Sequence, residues 1–365
     1  MTNSVNFHSV GFVSSIWFLC CGLYLTKVLP VSPVHIAFCF VIIFLFFKYY
    51  IQSEFWVGKS ALLYSALGIY FSTLLISTPP PAILNLIITF TSPLLVYVLF
   101  REKKISLTLI NAFLMFYALL FLVDGIWRLL HPADMDIERL AELGIGFQIY
   151  KLNTFMYMDS NFVGLQAIAV LSFYCWLSYA SVKMSRILLA LLLIATFLTF
   201  SRAAILSSIV VLAITYLYKR NLSNITINIV MILFGGVFGT IVLYKFATDV
   251  SFISKFHIVQ VTAEYLNEYD LTTLTFGVGI GNAKEYLGIG AHNLFVTFLV
   301  ETGILGLLIF LSLLFYWFAV LKRGWLILVF PFLLTSMSLG TTAIPYLFTI
   351  VTIAILIKRN RLVLS

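Results

Sequence analysis

The chain has 365 residues, 62% of them hydrophobic and 10% charged, with 22 Lys and Arg against 14 Asp and Glu for a net charge of +8. At a mean hydropathy of +1.08, many stretches exceed the roughly 18 apolar residues that read as a membrane-spanning helix, and no soluble segment is large enough to build a core of its own. Cys20, Cys21, Cys39 and Cys175 lie in apolar runs without CxxC spacing, which argues against a disulfide framework or a metal site.

Apolar runs fall near 10–26, 34–51, 60–78, 82–100, 106–127, 160–180, 185–200, 203–218, 225–244, 292–321, 324–343 and 345–357. They predict an all-α, polytopic integral membrane protein, a single domain of about twelve spans. The first run has neither the charged n-region nor the small-residue cleavage site of a signal peptide, so it reads as a retained span. Lys48, Lys59, Arg101, Lys103, Lys104, Lys183, Arg186, Lys219, Arg220, Lys322, Arg323, Lys358, Arg359 and Arg361 share one side if both termini are cytoplasmic. That side has only Glu54 and Glu102 for acids, so the basic balance reflects topology and anionic lipid, and points to no nucleic acid. The opposite side is acidic on average, and an anion there has to be captured by particular basic groups.

Thr78-Pro79-Pro80-Pro81 reads as a stiff outer connector. Asp124 and Arg128, one helical turn apart, read as an ion pair. A first long outer loop, 131–158, carries Asp134, Asp136, Glu138, Arg139, Glu142 and Lys151, and Asp159-Ser160-Asn161 then reads as the cap of the next span. A second long loop, 245–291, carries Lys255, His257, Glu264, Glu268, Asp270 and Lys284. The other connections are short, so these two loops are the expected covers of a site.

Between runs 185–200 and 203–218 stands Thr199-Phe200-Ser201-Arg202-Ala203-Ala204. Each run supplies about 24 Å of helix against a hydrocarbon core of about 30 Å, which recesses the turn below the headgroups. Ser201 is expected to cap the following helix. Its free N–H groups, its positive dipole end and Arg202 would together form an anion site at phosphate depth; the alternative for Arg202 is snorkelling to headgroups.

Phe276-Gly277-Val278-Gly279-Ile280-Gly281-Asn282 lacks the strand and helix of a nucleotide fold. It reads as a plain loop or as a turn, centred on Gly279, whose N–H groups approach an anion. The run from His292 to Leu321 would be about 45 Å of helix, too long for one span, so a break is expected at Gly303. That leaves 292–302 as a short interfacial helix and 304–321 as a span, with Thr302 as its cap. His292, able to exchange protons near neutral pH, stands with Asn293 at the outer interface. Glu301, nine residues on, falls on the opposite face, so a structural role there competes with a catalytic one.

Leu198-Thr199-Phe200-Ser201-Arg202-Ala203-Ala204, Phe276-Gly277-Val278-Gly279, Ala291-His292-Asn293 and Glu301-Thr302-Gly303-Ile304-Leu305-Gly306, in that order, resemble the O-antigen polymerase and O-antigen ligase superfamily of bacterial envelope glycosyltransferases. The resemblance covers roughly residues 160–320. It implies a GT-C-like, metal-independent enzyme without cofactor in the bacterial inner membrane, its active site facing the periplasm. Undecaprenyl-diphosphate-linked glycans would be donor and acceptor, and a chain-length regulator and a flippase membrane partners. Arg202 matches the arginine implied to bind the donor pyrophosphate, and His292 the histidine implied to assist the acceptor hydroxyl. Relatives often carry a second arginine in the large outer loop; this chain has none there, leaving Lys255, His257, Lys284 or Arg139 for that role, beside Ser201, Asn293 and Gly279 as lesser substrate contacts. The compact second loop favours a polymerase. The alternatives are a ligase that transfers glycan to lipid A-core, and a lipid-linked sugar transporter.

Overall fold

The computed structural model describes residues 7–52, 80–100, 106–142, 146–220 and 250–360. The expected spans at 60–78 and 225–244, and Thr78-Pro79, lie outside them. Among the described residues the regular structure is entirely helical, as an apolar chain in lipid requires when each backbone N–H and C=O must be satisfied locally. Five helices are long and apolar enough to cross a membrane: α3 (Pro80–Phe100, from Ala82), α4 (Leu107–Leu130), α6 (Ser160–Tyr179), α8 (Arg202–Lys219) and α12 (Leu294–Leu321). Shorter apolar helices are α1 (Phe7–Cys20), α2 (Pro33–Gln52), α7 (Arg186–Phe197), the pair α13 (Arg323–Leu328) and α14 (Phe330–Ser336), and α15 (Pro345–Asn360).

Helix α6 is the axis of the bundle. Its span is 83% buried, packed against α7, α8, α13, α14 and α15, and its 20 residues carry no charge. Asp159 caps it by accepting from the Asn161 N–H at 2.7 Å. Gln166, fully buried in α6, donates to the Gly22 carbonyl at 2.9 Å and accepts from the Tyr157 hydroxyl at 2.7 Å, while Gly22 N–H donates to Tyr117 Oη at 2.9 Å. These bonds take up backbone groups freed where α1 stops at Cys20, earlier than the hydrophobic run to residue 26 suggests. A Cβ on Gly22 would stand 2.0 Å from Gln166 Nε2, so glycine is required for that approach.

Pro93 sits inside α3 and has no N–H for the Thr89 carbonyl; Ser92 Oγ donates to that carbonyl at 2.8 Å instead. Asp124 and Arg128 of α4 pair at 2.8 Å with both side chains fully buried. Arg128 also donates to the Tyr150 and Leu198 carbonyls at 2.8 and 2.9 Å, and Asp124 accepts from Thr154 Oγ1 at 2.5 Å and Phe155 N–H at 3.1 Å. Each guanidinium nitrogen and both carboxylate oxygens are engaged, so the charge pair sits in the core without a bare partner.

Both expected covers contain helix. The first holds α5 (Ile137–Glu142) and a 3-10 turn, Gly146–Tyr150; the second holds α9 (Val250–Glu268), α10 (Leu271–Phe276) and α11 (Ala283–Leu287). Expecting these segments as loops missed their helices because mixed polar sequence at a surface shows no uninterrupted apolar run. The run 324–343 is helical only to Ser336, and 337–344 is an irregular connection to α15.

Helix α12 is broken at Gly303 (φ 67°, ψ −179°), a conformation that glycine adopts and L residues essentially do not. The glycine segment of the second cover lies across this break: Val278 and Gly279 N–H donate to the Val300 and Glu301 carbonyls at 3.0 and 3.1 Å. A Cβ on Gly277 would meet the Glu301 carbonyl at 2.5 Å, and one on Gly303 would meet the Thr275 carbonyl at 2.2 Å. Two backbones therefore touch here, which fixes the second cover to the first, largely buried part of α12. Thr302, expected as a cap for the following span, donates its hydroxyl back to Phe298 O at 2.6 Å.

Arg186, Lys219, Lys322, Arg323, Lys358 and Arg359 gather at the end of the bundle opposite the covers. There Lys219 Nζ donates to Ser178 Oγ at 2.5 Å, Arg323 lies 5.9 Å from the Tyr218 ring and Lys358 donates to the Val320 carbonyl at 2.7 Å.

Candidate functional site

Where the covers meet the bundle is a cavity of about 260 Å³, lined among others by Phe147, Lys151, Asp159, Ser201, Arg202, Lys255, His292 and Ser338. Its floor is the turn between α7 and α8. Leu198 is held by Arg128, the Thr199 carbonyl accepts from Ser160 Oγ at 2.6 Å, and Ser201 N–H donates to Thr199 Oγ1 at 3.2 Å. Phe200 takes a left-handed backbone (φ 52°), unusual outside glycine, and its ring stacks on Tyr150 at 5.6 Å. The turn is therefore over-determined, and it delivers Arg202 as the first residue of an 18-residue helix whose N-terminal dipole favours an anion.

Ser201 holds the N-cap position but makes no side-chain cap bond. This corrects the expected cap: the serine is buried beneath the turn, against Gly164, where a Cβ would lie 2.8 Å from Ser201 Cβ. The N–H groups at the head of α8 are left without that hydroxyl.

Three cations and one carboxylate line the cavity, a net of +2 with His292 neutral. Arg202 lies 4.8 Å from the Phe147 ring centroid and Lys151 5.0 Å from the same centroid. Lys151 Nζ also donates to Asn161 Oδ1 at 3.3 Å, and Lys255 Nζ donates to the Ser338 carbonyl at 3.0 Å. Burial pulls the Lys151 ammonium down to about 8, with Asp159 opposing and Arg202 and Lys255 adding to the fall. Burial likewise lowers Lys255, again against Asp159. A site that destabilises its own cations gains when an anion arrives.

His292 has a left-handed backbone (φ 31°) and an open face toward the cavity. Its ring lies over Gly290, where a Cβ would stand 2.8 Å from Nε2. Enclosure by neighbouring groups holds the imidazole below its ordinary value, first through burial and then through Lys255, with Asp159 opposing. The shift favours the neutral imidazole, the form able to accept a proton.

Of the residues expected at a site, Arg202, Ser201, Lys255 and His292 line this cavity. Asn293 does not: its Oδ1 caps α12, accepting from Phe295 and Val296 N–H at 2.9 and 3.3 Å. Gly279 does not: its N–H is taken by the Glu301 carbonyl. His257 and Lys284 are exposed elsewhere on the second cover, and Arg139 on the first. His257 is two residues from Lys255, about 200° around α9, which turns it away. Glu301 is buried at the break, its carboxylate accepting from Gly281 and Ala283 N–H, a structural task. Lys151, Asp159 and Phe147 went unrecognised as cavity residues; the sequence signal was a lysine eight residues ahead of the capping aspartate at the head of an apolar run. Among the described residues no three His, Cys, Asp or Glu side chains converge to hold a metal ion.

No family model, no curated protein and no solved structure matches this chain.

Proposed function

We propose that this chain is a membrane glycosyltransferase that polymerises oligosaccharide repeat units carried on undecaprenyl diphosphate, working at the periplasmic face of a bacterial inner membrane. The observation that carries the reading is the convergence of Arg202, Lys151, Lys255 and His292, spread over 142 positions of the chain, on one cavity at the head of α8. The gathering of basic residues at the opposite end of the bundle supports an outward-facing cavity, since cytoplasmic ends of spans collect Lys and Arg. The resemblance of the Ser201-Arg202 and His292 segments to the O-antigen polymerase and ligase superfamily supports the reaction class.

In this reading an acceptor hydroxyl attacks the anomeric carbon of the donor glycan. The new C–O bond forms as the bond to the diphosphate breaks, and the hydroxyl proton passes to neutral His292. Charge building on the departing diphosphate is met by Arg202, Lys255 and the helix N-terminus, groups already in place before the reaction. Asp159 stands on the same wall and keeps the cations from excluding one another.

A transporter would line its bundle with ionisable groups along a path. Among the described residues the ion pair inside the bundle, Asp124 with Arg128, is engaged in structural bonds, and this favours the enzyme. The test is the surface glycan of cells lacking the gene: loss of a polymerase leaves single repeat units on the acceptor. Bare acceptor with intact lipid-linked polymer would instead identify a ligase, and unchanged chains would overturn both.

A further inference from the structure

We propose that Lys151 is a third cationic ligand of the diphosphate site and that Phe147 is the positioning residue that seats Lys151 and Arg202 side by side. The inference rests on the diphosphate reading of the cavity given above. Lys151 belongs to the first cover and Arg202 to the head of α8, 51 positions later, so nothing in their sequence brings them together. Both charges lie about 5 Å from the centroid of one ring, and so at most about 10 Å apart. Like charges at that separation repel, and a phenyl ring offers each of them its electron-rich face in partial compensation.

The lysine is built in rather than draped on the surface. Its backbone N–H donates to the Gln148 carbonyl at 3.0 Å, its carbonyl accepts from Ser160 N–H at 2.9 Å, and its ammonium reaches Asn161 Oδ1 at 3.3 Å. These bonds tie it to the first turn of α6, the central helix. Phe147 sits one turn earlier in the 3-10 segment Gly146–Tyr150, which Arg128 anchors through the Tyr150 carbonyl. The arrangement holds two cations at a fixed spacing before any anion is present, the property a site for two linked phosphates requires.

Burial acts most strongly on the Lys151 ammonium; among the charged groups around it Asp159 stabilises it, and Arg202, Lys255 and Arg128 oppose it. With its ammonium pulled down to about 8, Lys151 loses its proton as pH rises through that value, and a bound diphosphate holds the proton on. Anion binding therefore weakens above pH 8 through this residue.

The experiment measures inorganic pyrophosphate binding to the full-length protein in detergent by calorimetry, from pH 6.5 to 9.5. Lys151→Gln should weaken binding about tenfold at pH 7 and flatten the decline above pH 8. Phe147→Leu should weaken it several-fold, Phe147→Tyr should restore it, and the effects of Phe147→Leu and Arg202→Ala should be non-additive. Wild-type affinity and an unaltered pH profile in Lys151→Gln would remove the lysine from the site. Additive losses, or equal binding by the Leu and Tyr variants, would remove the positioning role of Phe147. If Phe147→Leu fails to fold, Phe147→Met takes its place in both comparisons. Undiminished binding by Arg202→Ala would defeat the diphosphate reading itself, an outcome separate from the others.

Discussion

Breaking the Asp124–Arg128 pair should disorder the site from outside it. Arg128→Met leaves a buried carboxylate with no counter-charge, and truncating one partner of such a pair costs about 3–5 kcal/mol. In many proteins replacing both partners by apolar residues removes that penalty. Here Arg128 also serves the Tyr150 and Leu198 carbonyls, and Asp124 serves Thr154 Oγ1 and Phe155 N–H. The two carbonyls and the Phe155 N–H stay bare in Asp124→Leu/Arg128→Met, while Thr154 Oγ1 keeps its bond from the Met156 N–H; at roughly 1 kcal/mol for each bare group the double variant should remain about 3 kcal/mol below wild type. The single and double variants should therefore couple by several kcal/mol. Denaturant unfolding in detergent micelles measures the stabilities, and pyrophosphate binding reports the cavity, since Tyr150 and Leu198 belong to the segments that carry Phe147 and Arg202. A double variant as stable as wild type, with full pyrophosphate affinity, would refute the idea that this pair organises the site.

Three further outcomes follow. Gln166→Leu should lower stability by about 1 kcal/mol, because the Gly22 carbonyl loses its nearest donor and the Tyr157 hydroxyl its nearest acceptor, leaving them the longer bond to each other; an unfolding midpoint equal to wild type would count against that network. Gly303→Ala and Gly277→Ala should each reduce the folded yield severely, through the positive φ of both positions and through backbone contact across the break, as size-exclusion profiles would reveal; monodisperse, fully stable variants would contradict the close approach. His292 is held below the ordinary imidazole value and must be neutral to accept a proton, so the acidic limb of the rate profile should lie below pH 6.5. A limb at or above that pH would take His292 out of the base role.

Much of the scaffold was legible because lipid leaves a chain few choices. Uninterrupted apolar runs marked α3, α4, α6, α7 and α8 to within a few residues. Length alone demanded a break in the run from His292 to Leu321, and glycine was the residue able to take it. Asp124 and Arg128 announced themselves by helical spacing. The second cover was not legible, because α9 mixes Lys255, His257 and Glu264 with apolar residues and has no span-like run. Nor was the role of its glycines, since a backbone-to-backbone contact between Gly277 and Gly303 leaves no pattern in sequence. The cavity itself is a tertiary fact. Arg202 and His292 could be singled out by residue type and location, whereas Lys151, Phe147 and Asp159 belong to a short non-periodic segment and acquire meaning only when α6 and α8 are packed together. Ser201 shows the opposite failure: a sequence suited to capping was put to use as a buried contact against Gly164.

The central claim, that this cavity elongates lipid-linked glycan, is tested most directly with purified protein in liposomes supplied with undecaprenyl-diphosphate-linked repeat units. Wild-type protein should yield glycans longer than one repeat together with free undecaprenyl diphosphate, and Arg202→Ala or His292→Ala, correctly folded, should yield neither. Movement of the lipid-linked substrate across the bilayer without a new glycosidic bond, or full elongation by the Arg202→Ala protein, would contradict the account.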